Sequence, residues 1–159
     1  MKKEQQSFGS EQVIKEYPNS TYQLIGNYLD AIGNLVLTSE RLVFLTRAPL
    51  SDEAFEEAQR MAQEATASEL IDFALTLHKK NFQIPLEKVI SAKMGLRSYL
   101  PLAFCLRVFH QGRGRKIKDT SFMFQPPIMK RLMMSEFPTM GWARAINKAA
   151  RKKQSSWVG

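Results

Sequence analysis

The chain has one cysteine, Cys105, in 159 residues. An intrachain disulfide is therefore excluded, and so is a thiolate metal cage, which needs several cysteines. Only two histidines are present, His78 and His110, too few with the available spacing to suggest a metal site. No apolar run approaches the roughly 18 residues of a membrane span. The opening residues, Met1-Lys2-Lys3-Glu4-Gln5-Gln6, are polar and lack the apolar centre of a signal peptide. No P-loop, G-x-G-x-x-G, H-E-x-x-H or G-x-S-x-G pattern occurs. These absences point to a reduced, cytoplasmic, non-enzymatic protein with no cofactor and no metal.

What is there is ordinary in amount and unusual in distribution. Apolar residues make up 44% and charged residues 24%, which excludes collagen-like and wholly disordered chains. The length suits one domain whose core needs no covalent staple. Residues 1–79 carry 7 Lys and Arg against 12 Asp and Glu, a net of −5. Residues 80–159 carry 16 against 3, a net of +13. Such asymmetry fits a basic face for an anionic partner, or acidic and basic faces that neutralise one another within or between subunits.

Along the chain, residues 1–11 read as a disordered polar lead-in. Gln12–Tyr17 is a short mixed segment, and Tyr17-Pro18-Asn19-Ser20 is a turn signal. Thr21–Leu29 reads as a strand, followed by a reversal over Asp30–Asn34 centred on Gly33-Asn34. Leu35–Thr38 and Arg41–Thr46 are β-rich runs joined by Ser39-Glu40, the signature of an antiparallel hairpin. Alternation places Leu35, Leu37, Leu42 and Phe44 on one face. The opposite face, with Val36, Val43 and Leu45, is also apolar, so a helix or a partner is expected to cover it.

Residues 51–78, within an insert of about 49–80, are helical in composition. Ser51 suits an N-cap, with Asp52 and Glu53 in the first turn. Phe55, Ala58, Met61, Ala62 and Ala65 form one apolar stripe. Thr66-Ala67-Ser68-Glu69 has the form of a capping box, so the helix is expected to restart there. A second stripe follows at Leu70, Ile71, Ala74, Leu75 and His78. Strands are then expected near Phe82–Pro85, Leu86–Met94, Phe104–His110 and Thr120–Gln125. A short helix is expected over Ile128–Phe137 and a final one over about Met140–Lys153. There Trp142 and Ile146 are one turn apart. Residues 154–159 read as a flexible tail.

Three basic clusters are candidate binding residues. Arg113, Arg115, Lys116 and Lys118 lie in one loop whose Gly112 and Gly114 let the backbone approach a ligand closely. They suit an anionic headgroup or phosphate. Lys130 and Arg131 lie in a methionine-rich segment that could rest on a membrane or grip a partner helix. Arg144, Lys148, Arg151 and Lys152 line the last helix. Nucleic acid is disfavoured as the partner, because the basic loop holds no aromatic residue to stack on a base. Cys105 has no acid or base at suitable spacing and reads as a small core residue.

The run Gly33-Asn34-Leu35-Val36-Leu37-Thr38-Ser39-Glu40-Arg41-Leu42-Val43-Phe44 resembles the "G-x-L-x-L-T-x-x-R-L-x-F" hairpin of the GRAM and bacterial pleckstrin-homology-like (PH-like) families. Ile84-Pro85-Leu86-Glu87-Lys88-Val89 is similar to their "I-P-L-x-x-I" strand start. Phe122-Met123-Phe124 and Trp142–Ile146 resemble the closing "F-x-F … W-x-x-x-I". The resemblance spans roughly residues 12–146. It implies one domain over 12–153, mainly β with helices: a bent antiparallel sheet barrel capped by a C-terminal helix, with a helical insertion after the third strand. It also implies a binding module for phosphoinositides, other anionic lipids or protein partners, placed in the cytoplasm or peripherally at the inner face of a membrane. A structural or homo-oligomerising module is the alternative. The Asp30–Asn34 segment, read as the connection between the first strands, holds an acid and no base.

Overall fold

The computed structural model describes residues 10–25, 28–97, 103–124 and 138–157, and side chains over 10–17, 30–95, 105–124 and 139–157. Among the described residues seven strands run antiparallel: β1 (Val13–Ile25), β2 (Tyr28–Thr38), β3 (Arg41–Thr46), β4 (Phe82–Pro85), β5 (Val89–Arg97), β6 (Ala103–Gln111) and β7 (Ile117–Phe124). Helices α1 (Asp52–Glu64) and α2 (Ala67–Thr76) lie between β3 and β4, and α3 (Pro138–Ser155) follows β7. The strand order is β4-β3-β2-β1-β7-β6-β5, so β1 joins two antiparallel halves. Among the described residues β4 and β5 do not pair with each other, so the sheet is not closed into a barrel by hydrogen bonds. The two halves instead meet through side chains. Leu35, Leu37, Leu42, Phe44 and Ile84 from one half share a core with Val89, Ala92, Leu106, Val108, Phe122 and Phe124 from the other.

The β2–β3 hairpin forms as expected, with Leu37 opposite Leu42 and Leu35 opposite Phe44. Thr38 closes it: its Oγ1 accepts from the backbone N–H groups of Glu40 and Arg41 at 3.1 and 3.0 Å. The expected reversal at Gly33-Asn34 is not there. Both residues lie inside β2, and the chain turns between Ile25 and Tyr28, which pair directly. Gly33 has a different reason to be glycine. A Cβ at that position would collide with the Leu45 carbonyl of β3. Backbone cannot swing aside as a flexible side chain can, so Gly33→Ala is expected to cost about 1–3 kcal/mol, the overpacking range. Chemical denaturation of the variant checks this, and an unchanged midpoint would contradict it.

Pro18 likewise marks no turn. β1 continues through it, and the register against β2 shifts between Tyr17 and Thr21. A proline has no N–H for the ladder, and an irregularity accommodates that lack.

The capping box at Thr66 divides the insert. Thr66 Oγ1 accepts from Glu69 N at 3.3 Å, and Thr66 N donates to Glu69 Oε2 at 2.8 Å. Asn81 ties the insert's end to the sheet. Its Oδ1 accepts from Thr46 N at 2.6 Å, and its Nδ2 donates to the Ala74 carbonyl at 2.8 Å. Among the described residues α2 alone covers the second apolar face, burying Ile71 on Val36 and Val43 beside Leu45 and Leu75. The α1 stripe does not share in this. α1 has no buried residue, and Phe55 is 53% exposed.

α3 packs Trp142, Ile146, Ala149 and Ala150 into the main core. It also covers the free edge of β5. Asn147 accepts from Ala92 N at 2.8 Å and donates to the Ala92 carbonyl at 2.7 Å, so that edge offers no open pairing site there. Gln154 and Ser155, within the tail read as flexible over 154–159, belong to α3. Gln154 is held by α3 and donates from Nε2 to the Val89 carbonyl at 2.8 Å. Glu11, within the lead-in read as disordered over 1–11, is fastened in an ion pair, and residues 1–9 lie outside the described residues. The helix expected at 128–137 lies outside the described residues. Among the described residues, no helix is long and apolar enough to cross a membrane.

Candidate functional site

The first candidate site is the β6–β7 hairpin tip. Gln111 pairs with Ile117, and Gly112 N donates to the Lys116 carbonyl at 2.8 Å, closing the loop. Gly114 supplies the left-handed residue the loop needs, at φ +72°, with open space around it. The structure therefore brings Arg113, Arg115, Lys116 and Lys118 together on one exposed tip. Among the described residues none of the four forms a salt bridge. Just below the tip, His110 Nε2 lies 2.9 Å from Thr120 Oγ1. Burial pushes the His110 imidazole below the ordinary histidine range, opposed first by the hydrogen bond with the Gln111 backbone, with the Lys118 charge lowering it further and Asp119 raising it less. The base of the tip thus holds a neutral ring at neutral pH.

The other basic clusters are not gathered there. Arg144, Lys148, Arg151 and Lys152 are exposed along α3, a separate surface. Lys130 and Arg131 lie outside the described residues. The connection between β1 and β2 falls at Gly26-Asn27 rather than at Asp30–Asn34, and it too contains no base. Asp30 instead accepts an ion pair from Lys80 at 3.1 Å. Cys105 is fully buried.

A second feature, a polar knot beside the hairpin turn, has no counterpart in the sequence reading. The Arg41 guanidinium, with its side chain 11% exposed, is wrapped by four residues from α2, β4 and the segment before β1. It donates to Glu11 from Nε and Nη2, each at 2.9 Å, to Asp72 at 2.5 Å, to Gln83 at 2.7 Å and to the Ser68 carbonyl at 3.2 Å. Thr38 Oγ1 donates to Glu11 Oε1 at 2.6 Å. Burial alone would raise the Glu11 carboxyl, but hydrogen bonds from Arg41, Thr38 and Ser68 override it and hold the group below the usual carboxylate range. The knot floors a shallow groove of about 420 Å³. Glu40, Glu87, Lys153 and the exposed Trp157 stand around it. Lys153 also pairs with Glu40. The hairpin motif carries Thr38 and Arg41, but their partners Glu11, Ser68, Asp72 and Gln83 are scattered over more than seventy positions, and no local spacing announces them.

No family model matches this chain, and neither a curated protein nor a solved structure is similar to it. Among the described residues, no group of three or more His, Cys, Asp or Glu side chains is arranged to hold a metal ion.

Proposed function

We propose that this chain is a PH-like, GRAM-type binding module without enzymatic activity, engaging an anionic lipid surface through the β6–β7 tip. The supporting architecture is the β4-β3-β2-β1-β7-β6-β5 order with a C-terminal helix seated on the shared core. The antiparallel strand order, the helical insert between β3 and β4 and the C-terminal helix support the reading, while β4 and β5 do not pair to close a barrel. The observation that carries the reading is the tip itself: four bases within six residues, exposed and unpaired among the described residues. Four fixed positive charges on a closed hairpin attract anionic headgroups without having to break an internal ion pair first. Placement is cytoplasmic and peripheral at the inner membrane face, where anionic lipid is concentrated.

The test is partition onto phosphatidylcholine vesicles with and without phosphatidylserine, at low and high salt. Each base near an anionic surface is worth on the order of 1 kcal/mol. Neutralising Arg113, Arg115, Lys116 and Lys118 together is expected to weaken binding by roughly a hundredfold or more while the fold survives, since a hairpin tip buries little. Binding of the native chain is expected to fall with salt. Equal partition of native and variant chains would remove the tip as the site.

The groove favours a second reading. Four carboxylates, Glu11, Glu40, Asp72 and Glu87, stand there against Arg41 and Lys153, so the basic tip of another copy has a complementary surface to meet. That reading expects salt-sensitive self-association, weakened in Glu40→Gln/Glu87→Gln. Sedimentation velocity at two salt concentrations measures it.

A further inference from the structure

The tip is one edge of a larger surface. In the β5–β6–β7 sheet, the pairs Ala92–Val108 and Leu106–Phe122 face the core. Alternation therefore sends Lys93–Arg107, Phe109–Asp119 and Gln111–Ile117 to the outer face. Ile117, immediately beside the tip, is 65% exposed. Ile90 is the extra residue where the β5 register shifts between Val89 and Ser91, and it is 52% exposed. β6 lies between the strands that carry these two isoleucines, which are at the same strand end, so they flank it about 10 Å apart. Phe109 fills the space on β6, half-buried, with Lys93 Nζ 4.9 Å and Arg107 Cζ 5.0 Å from its ring centre.

An apolar centre rimmed by long basic side chains matches the chemistry of a bilayer interface. The isoleucines reach toward the acyl boundary, while Lys and Arg lay their stems along apolar surface and keep their heads at the phosphate level. The outer face holds one acid near this end, Asp119, and Arg107 already neutralises it. α3 sits on the other side of these strands, with Trp142 and Ile146 in the core and Asn147 on the β5 edge. A flat surface resting on the outer face therefore meets Lys93, Arg107 and the end of the tip, whereas Lys118, paired with His110 in phase with Val108 and Leu106, alternates to the opposite face, and the α3 bases stand away from it.

We infer that the chain lies on anionic membranes with the outer face of β5–β7 downward, Ile90 and Ile117 penetrating the interface, and that the basic face of α3 takes no part. The inference rests on the lipid-binding reading above and adds to it an orientation and an apolar contribution. The experiment uses the full chain on phosphatidylcholine/phosphatidylserine vesicles. It compares the native protein, Ile90→Ser/Ile117→Ser, and a variant with Arg144, Lys148, Arg151 and Lys152 all changed to Gln. The double serine variant is expected to bind about tenfold more weakly or worse, from loss of apolar transfer. The deficit should persist in high salt, where screening leaves the apolar part intact. Circular dichroism should be unchanged, both residues being exposed. The α3 variant is expected to bind within about twofold of the native chain, because its charges stand away from the surface. Native-like binding by the double serine variant, or a loss in the α3 variant equal to that of the tip variant, would overturn the orientation while leaving lipid binding in place. A native chain that ignores phosphatidylserine would overturn the lipid reading itself.

Discussion

Trp142→Ala is expected to lower the stability of this protein by about 3–5 kcal/mol, the cost of emptying a large aromatic site. Trp142 is fully buried. Its ring stacks on Phe124 with centroids 5.7 Å apart, and Phe124 in turn meets Tyr17 edge-on at 4.8 Å. Lys15 stands over the indole at 5.6 Å from its centre. One side chain thus joins α3 to β7 and β1, the strand at which the two halves of the sheet are united. Removing it leaves a cavity that the neighbours can only partly fill. Trp142→Phe keeps most of the volume and is expected to cost much less. Denaturant unfolding of both variants measures the difference, and a Trp142→Ala midpoint equal to the native one would refute the packing role.

Arg41→Ala is expected to cost about 3–5 kcal/mol for a different reason, because it leaves a buried carboxylate without its partner. Glu11 is 5% exposed and receives two of its hydrogen bonds from that guanidinium. The penalty therefore belongs largely to the orphaned charge. A double variant, Arg41→Met with Glu11→Leu, removes both charges and is expected to recover much of the loss. Failure to recover any of it would show that the guanidinium acts through Asp72, Ser68 and Gln83 instead. The same pair sets a pH dependence. The Glu11 carboxyl lies below its ordinary value in the folded chain, so the folded state binds the proton less readily than the unfolded state. Its stabilisation is complete above the unfolded glutamate value of about 4.3 and is lost as the pH falls through the lower folded value. Unfolding followed between neutral pH and pH about 3 should show that loss in the native chain and a shallower one in Glu11→Gln.

The parts of the fold legible in the sequence are those in which neighbouring residues cooperate. The β2–β3 hairpin needs only two apolar alternations and a short connection, and its pairs Leu35–Phe44 and Leu37–Leu42 form accordingly. The Thr66–Glu69 capping box is a four-residue device and works wherever it is placed. Gly33 and Pro18 were ambiguous because both residue types serve turns and irregular strands alike. The partner strand decides between these uses, through the Leu45 carbonyl for Gly33 and the β1–β2 register for Pro18. The α1 stripe shows the converse, since amphipathic spacing forms a helix without supplying anything for its apolar face to bury.

The candidate sites divide along the same line. Local order in the chain was enough to place Arg113, Arg115, Lys116 and Lys118 on one tip, because a tight hairpin keeps sequence neighbours together in space. Only the tertiary structure decided that Glu11, Arg41, Ser68, Asp72 and Gln83 form one knot, and that Phe109 and Ile117 share one face at the strand end where Ile90 is exposed. These residues come from separate elements, and their proximity depends on strand order and register. Those follow from the burial of the whole core, a sum over many long-range contacts that no window of sequence contains.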